Sequence, residues 1–324
     1  MKLKLSAFLG IALISTSVLA QQKLVLGHGA APGNPRHEAS ILFANKVKEK
    51  SGGKIEVQVA PSAQLGDDAA MVTALRSGTL DMSANSQGAV SNVVPEYAAF
   101  GMPFLFSNLN AAWRVLDGPL GKELAQKSEE KGMVVLGYWD NGIRHMSNSK
   151  KPILKPEDLK GMKMRTPPDP VTVDIMKSVG ADPQQIKFAE LYVALQQGVV
   201  DGQENPLMNI HASKLHEVNK FISLTGHKYE MTPLLISKRS WDKLNAAEKK
   251  VLQDAALEAT SYQRKLSFDA DSRLVGELKT AGIRVDVVDQ APFAKATESV
   301  TQKWYSSPIG DYVKKVVAAA RTAK

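Results

Sequence analysis

Two stretches of the chain, 120 residues apart, echo one another. Ala74-Leu75-Arg76-Ser77-Gly78-Thr79-Leu80-Asp81, with Asn85 four residues on, and Ala194-Leu195-Gln196-Gln197-Gly198-Val199-Val200-Asp201, with Asn205 four residues on, share five residues in twelve. In each, the glycine falls where a helix would stop, a few apolar residues follow as a short buried strand, and the strand runs into a polar loop. The pattern reads as one structural unit used twice, although generic helix-to-strand chemistry also produces short echoes. In open α/β sheets ligands sit outside the carboxyl ends of the strands. Two such units facing each other put Asn85 and Asn205 on opposite walls of one cleft.

The first twenty residues divide into a basic start (Lys2, Lys4), an apolar run from Leu5 to Ile14 and a small-residue tail Val18-Leu19-Ala20. That is the layout of a secretory leader, residues 1–20, cleaved near Ala20 to release a periplasmic chain. The run is too short to span a bilayer. With no cysteine, the chain has no disulfide, no thiol nucleophile and no attachment point for a lipid anchor, so stability must come from core size. Roughly 300 mature residues exceed what one core usually serves, and two domains are expected. The formal net charge is +8, but the charges alternate in sign without forming blocks. Nucleic-acid binding is therefore not expected, and only a mild attraction for anions is.

Lys23 to Leu26 reads as a strand, His37 to Lys50 as a helix and Lys54 to Val59 as a strand, a β-α-β start. Asp67 to Arg76 reads as helix, Leu80 to Ser83 as strand, Asn110 to Lys131 as helix interrupted at Gly118-Pro119, and Met133 to Tyr138 as strand. A second set follows in the same order. It comprises strand Met162 to Arg165, helix Val171 to Val179, a short strand near Ile186 to Phe188, helix Leu191 to Gln197 and strand Val199-Val200. From Asn245, an N-cap with Glu248 three residues on, apolar residues recur at spacings of three and four through Leu252, Ala255, Ala259, Tyr262, Leu266, Ala270, Leu274 and Leu278. This predicts either one helix of ~35 residues, roughly 50 Å long and able to run across both lobes, or two helices broken near Gly276. The chain lacks a Gly/Ser linker, so crossing strands or helices must join the lobes, an arrangement suited to hinge bending.

Gly27-His28-Gly29-Ala30-Ala31-Pro32-Gly33 does not have dinucleotide-loop spacing, and Pro32 removes an amide such a loop needs. The chain contains no GxxxxGK[ST], GxSxG or HExxH, and His211 and His216 stand five apart, unsuited to ligating a metal from one helical face. No metal or cofactor is expected. The chemistry that stands out is a cationic pair, Arg144 in Gly142-Ile143-Arg144-His145 and Arg165 before Thr166-Pro167-Pro168. An arginine at the carboxyl end of a strand points into the ligand crevice, where its planar fork takes a carboxylate by two parallel hydrogen bonds. Asn205 adds an amide that donates and accepts. Surface salt bridges for the arginines and a turn role for Asn205 before Pro206 are the plain alternatives.

At these residues the chain resembles the solute-binding proteins of tripartite ATP-independent periplasmic (TRAP) transporters, of the C4-dicarboxylate-binding type. The resemblance rests on Pro61-x-x-Gln64-Leu65-Gly66-Asp67, Asn141-Gly142-x-Arg144, Leu159-x-Gly161-x-Lys163-x-Arg165, Glu190-x-Tyr192-x-Ala194-Leu195-Gln196 and Val200-Asp201-Gly202-Gln203-Glu204-Asn205-Pro206. It implies an α/β, two-lobed periplasmic-binding-protein fold with a hinge and a long spine helix shared by both lobes. On this reading residues 21–141 and 231–270 form lobe I, and residues 142–230 and 271–324 form lobe II. The lobes of a monomer close on a small organic acid, a monocarboxylate or sugar acid, which is handed to the membrane permease subunits.

The resemblance also implies that Arg165 clamps the carboxylate, Arg144 supplies a second cation and Asn205 supports the carboxylate. His28, Asp67, Asn85, Pro168 and Phe188 fall where members specific for sialic acid place other contacts. There Asn85 replaces an acidic residue and Pro168 a polar one, which favours a smaller acid of roughly four to eight carbons. Phe188 and Trp139 are the candidate apolar or stacking walls, with core packing as the alternative for both. Two other readings use the same cleft, a ligand-sensing module for a signalling receptor and an exported lyase or isomerase. No carboxylate pair in the sequence supports the latter.

Overall fold

The computed structural model describes residues 21–323; the expected leader lies outside them. Strands β1 (Gln22–His28), β2 (Ile55–Ala60), β3 (Met82–Ala84), β4 (Met133–Asn148), β5 (Lys163–Thr166), β6 (Asp182–Gln185), β7 (Gly202–Asn205), β8 (Phe221–Ser237) and β9 (Arg284–Val287) form one nine-stranded sheet in the order β2-β1-β3-β8-β4-β7-β5-β6, with β9 on β8. The order has internal symmetry. β2-β1-β3 are parallel to one another and meet β8 antiparallel, while β6-β5-β7 are parallel to one another and meet β4 antiparallel.

The sequence echo is the third strand of each half and the helix before it. Gly78 (φ +78°) and Gly198 (φ +70°) end the two helices in the left-handed conformation that glycine tolerates best. Asp81 accepts from the Val25 amide at 2.9 Å and Asp201 from the Lys163 amide at 2.8 Å. One carboxylate in each half therefore ties the third strand to the first.

The halves are joined by β4 and β8, 16 and 17 residues long, which pair antiparallel through both lobes with register shifts at Val135/Gly137, Asp140/Gly142 and Arg144/Met146. The expected strand Met133 to Tyr138 therefore continues ten residues further. Its polar continuation stays in the sheet because it finds buried partners: Asp140 accepts from Trp113 Nε1 and the Tyr229 hydroxyl, and Asn141 accepts from Arg36. Two expected short strands lie a few residues away from their predicted positions. β6 precedes Ile186 and accommodates Pro183 because it is an edge strand, and β7 is the fully buried polar run Gly202–Asn205 rather than Val199-Val200.

The long helix is continuous over Ala246–Thr280, 35 residues, and opens with the Asn245/Glu248 capping box. Leu252, Ala255, Ala256 and Ala259 pack with Leu24, Phe43 and Trp139 of the first lobe. Ala270, Leu274 and Leu278 pack with Leu195, Leu207 and Ile222 of the second. Its middle is polar. Gln263 accepts from the Asp140 amide and donates to the Asp140 carbonyl, both at 2.8 Å, while Tyr262 of the predicted apolar stripe is 39% exposed. The helix is thus held to the crossing strand by hydrogen bonds and to each lobe by apolar burial. Helix Gly310–Thr322, expected with lobe II, packs against Pro95–Gly101 and Leu109–Leu116 as well as against helix Ala291–Tyr305.

Gly276 lies inside the spine and, the helix's own backbone aside, no atom of the described residues comes within 4 Å of where a Cβ would sit. Gly276→Ala should raise the free energy of unfolding by about 0.5–1 kcal/mol in urea titrations. A lower stability would contradict an uninterrupted helix there.

Candidate functional site

Between the lobes lies a cavity of about 370 Å³. From the first lobe it is walled by the turn Gly29-Ala30, by Arg36 in the first turn of helix Pro35–Lys50, and by Asp67 and Asp68 at the start of helix Asp68–Ser77. From the second come Arg165 on β5, Pro167, Pro168 and the Gln185–Ala189 segment; Asn141, Arg144, Asn205 and Glu230 stand on crossing strands and β7. The lobes touch around this space. Asn34 donates to Asn209 Oδ1 at 2.8 Å, Asn92 to the Pro168 carbonyl at 3.0 Å, and Lys187 pairs with Asp67 at 2.8 Å.

Arg165 sits one residue from the end of β5, where Pro167-Pro168 stops the strand. It is 2% exposed, and its Nε donates to the Ile186 carbonyl at 2.8 Å. Neither Nη1 nor Nη2 makes a hydrogen bond among the described residues. Its guanidinium lies 5.8 Å from the Phe188 ring centroid, and burial pulls its pKa down to about 10, with Glu204 and Glu230 only partly offsetting the loss of water. It remains charged at neutral pH, with both Nη nitrogens left for an anion.

Arg144 is different. Its Nε and Nη1 bind Glu204 and Glu230, and its Nη2 reaches the Glu204 carboxylate and carbonyl, each at 2.7 Å. These carboxylates hold its charge more firmly than usual despite burial. Arg144, expected as a second cation, faces the cavity and is engaged by the protein through Glu204 and Glu230, its neighbours on β7 and β8. Glu230 also lies 4.0 Å from Lys228, which pairs with Asp169, and Glu204 lies 3.3 Å from His227.

The other predicted residues separate into two groups. Asn205, Pro168, Phe188 and Asp67 line the cavity. The Asn205 amide is bound within the protein, accepting from Asn209 at 3.0 Å and donating to Gln203. Asp67 caps its helix by accepting from the Ala70 amide at 2.8 Å and meets Lys187, so its carboxylate is a contact between lobes. It is the next residue, Asp68, that has a carboxylate oxygen, Oδ1, without a partner among the described residues.

His28, Asn85 and Trp139 are not on the wall. His28 is fully buried, with its ring turned back so that Nδ1 accepts from the Ala30 amide at 3.2 Å. Asn85 is fully buried and donates to Ser83 at 2.9 Å; Ser86 takes the wall position. Trp139 is fully buried in the core, its Nε1 donating to Thr260 of the spine at 3.0 Å, so of the two proposed walls only Phe188 faces the cavity. Sequence reasoning missed Arg36. A cation in the first helical turn opposes the helix dipole, and that misplacement was the available signal.

Fold and cleft together define a two-lobed solute-binding protein, and the comparisons agree. Residues 26–307 match the family described as bacterial extracellular solute-binding protein, family 7. Uncharacterized protein y4mM of Sinorhizobium fredii is 54% identical over 86% of this chain, which spans only about half, 52%, of that relative's length. The 2,3-diketo-L-gulonate-binding periplasmic protein YiaO of Escherichia coli is 35% identical, covering 89% of this chain and 88% of its own. Among solved structures, the sugar acid binding protein of Advenella mimigardefordensis with galactonate has a TM-score of 0.92 at 33% identity, covering 94% of this chain and 99% of that one. A TRAP periplasmic solute-binding protein from a Polaromonas species with D-erythronate has a TM-score of 0.89 at 36% identity, covering 92% and 99%. The chain belongs to family 7, the extracytoplasmic solute-binding proteins of TRAP transporters, whose members bind carboxylates and sugar acids.

The buried His28 supplies a pH test. Burial, with Arg36 and His37 nearby, lowers its imidazole from 6.5 to about 3, so the unfolded chain takes up a proton that the folded one refuses. Stability is therefore full above about 6.5 and falls with pH until about 3, a loss of about 2 kcal/mol at pH 5 from this residue. Urea titrations at pH 7.5 and 5 should show His28→Gln to be less acid-sensitive than the parent. Equal sensitivity would contradict a neutral buried His28.

Proposed function

We propose that this protein is the periplasmic receptor of a TRAP transporter for a hydroxylated monocarboxylate of roughly four to eight carbons. The ligand carboxylate lies on Arg165, the lobes close over it by bending β4 and β8, and the closed monomer hands it to the permease subunits. The observation that carries this reading is the contrast between the two arginines, Arg144 bound by carboxylates and Arg165 buried with both Nη groups unused. The galactonate and D-erythronate of the solved relatives, and the 2,3-diketo-L-gulonate named for the Escherichia coli protein, are acids of the required kind. In the same proposal, residues 1–20 are the leader removed near Ala20, and residues 21–141 with 231–270 form the lobe opposite Arg165. The lyase, isomerase and sensor readings gain no support from these relatives.

Charge-assisted hydrogen bonds contribute ~1.5–3 kcal/mol each, so a bidentate clamp supplies a large part of micromolar binding. Calorimetry with galactonate and D-erythronate should show Arg165→Ala weakening binding by about a hundredfold or more, with little change in melting temperature. Arg165→Lys should recover only part, because the point charge lacks the planar fork. Full affinity in the Lys variant would sink the clamp.

A further inference from the structure

We propose that Arg36 is a specificity-determining residue that donates to a neutral ligand oxygen, hydroxyl or keto, in the first-lobe half of the cleft, while Asp68 on the same wall turns away a second carboxylate. The inference rests on the reading that the ligand's carboxylate lies on Arg165.

Arg36 is 5% exposed and lines the cavity. Its Nη2 donates to Asn141 Oδ1 at 2.8 Å and to Thr232 Oγ1 at 2.9 Å, which fixes the plane of the guanidinium. Nε is buried without a partner, and Nη1 makes no hydrogen bond among the described residues. The side chain is a cation near a helix N-terminus, deprived of water, in an orientation set by two crossing strands. Arg36 lines the cavity and Nη1 is not among its buried atoms, so a ligand oxygen is the acceptor that completes Nη1.

Charge decides which oxygen. Asp68 and Glu230, both on the cavity wall with Arg36, are the carboxylates that support its charge. Asp68 Oδ2 accepts from the Ser86 amide at 3.0 Å and Glu230 Oε2 is committed to Arg144, while Asp68 Oδ1 and Glu230 Oε1 both have no partner among the described residues. A ligand hydroxyl can accept from Arg36 and leave its proton free for Asp68. A keto oxygen satisfies Arg36 alone. A carboxylate would accept from Arg36 while facing Asp68, like charge against like charge in a closed space.

The test is calorimetry with matched acids that differ only in a terminal hydroxymethyl or carboxylate: D-erythronate against meso-tartrate, and galactonate against galactarate. The parent protein should prefer the hydroxymethyl member of each pair by about tenfold or more. Arg36→Met should weaken D-erythronate by about ten- to a hundredfold and leave 2-hydroxybutyrate, which lacks the distal hydroxyls, within a few-fold. Asp68→Asn should narrow the preference against the dicarboxylates. Arg165→Ala should weaken every acid alike, so a failure of the clamp is distinguishable from a failure of the Arg36 assignment. Dicarboxylates binding as tightly as their partners, equal losses for 2-hydroxybutyrate and D-erythronate in Arg36→Met, or no binding of either hydroxy acid would overturn the proposal. The comparison of pairs in the parent decides the matter even where a variant fails to fold.

Discussion

Arg144 is gripped by Glu204 from β7 and Glu230 from β8, and this buried ion network determines what the cleft can offer. Removing one partner of such a pair typically costs ~3–5 kcal/mol, because the remaining charge is left in a medium that cannot solvate it. The network lies on β4 between the register shifts at Asp140/Gly142 and Arg144/Met146, where bulges bend and twist a strand. It therefore fixes three strands at the crossing point of the lobes. By committing Arg144, it separates the cleft arginines into one that holds the fold together, Arg144, and two with unused donors, Arg165 and Arg36.

The spine helix complements this arrangement. Apolar burial at each end fastens it to a different lobe, and at the crossing the contact is made by Gln263 bonding both backbone groups of Asp140. Asn34 with Asn209, Asn92 with the Pro168 carbonyl, and Asp67 with Lys187 then join the lobes across the cavity. All three are polar contacts. An exposed pair such as Asp67–Lys187 is worth about 1 kcal/mol at most, so closure held by such contacts is readily biased by a ligand bridging the lobes.

Much of the fold was legible because it follows short-range rules. The Asn245/Glu248 box and the apolar spacing marked the spine, and the echo around Gly78 and Gly198 marked the duplication. The strands that matter most to the site were harder to read. Gly202–Asn205 and the second half of β4 are polar runs that look like loops, and they are strands only because each side chain has a distant partner, as Gln203 has in Ser147 and Asn141 in Arg36. The site was legible to the same degree. Arg165 followed from its place at a strand end, whereas the engagement of Arg144, the burial of Trp139 and the turning away of His28 depend on contacts between residues far apart in the chain. Asp67 and Asp68 show the limit most plainly. Adjacent and chemically identical, they differ only in that one caps a helix and meets Lys187 while the other keeps an unpartnered oxygen.

The central claim is that Arg165 receives the ligand carboxylate while Arg144 stays with Glu204 and Glu230. A crystal structure of the mature protein grown with galactonate or D-erythronate tests it most directly. The account predicts carboxylate oxygens within hydrogen-bonding distance of Arg165 Nη1 and Nη2, with the Arg144 ion network unchanged. A carboxylate seated on Arg144, with Glu204 or Glu230 displaced and Arg165 turned away, would contradict it.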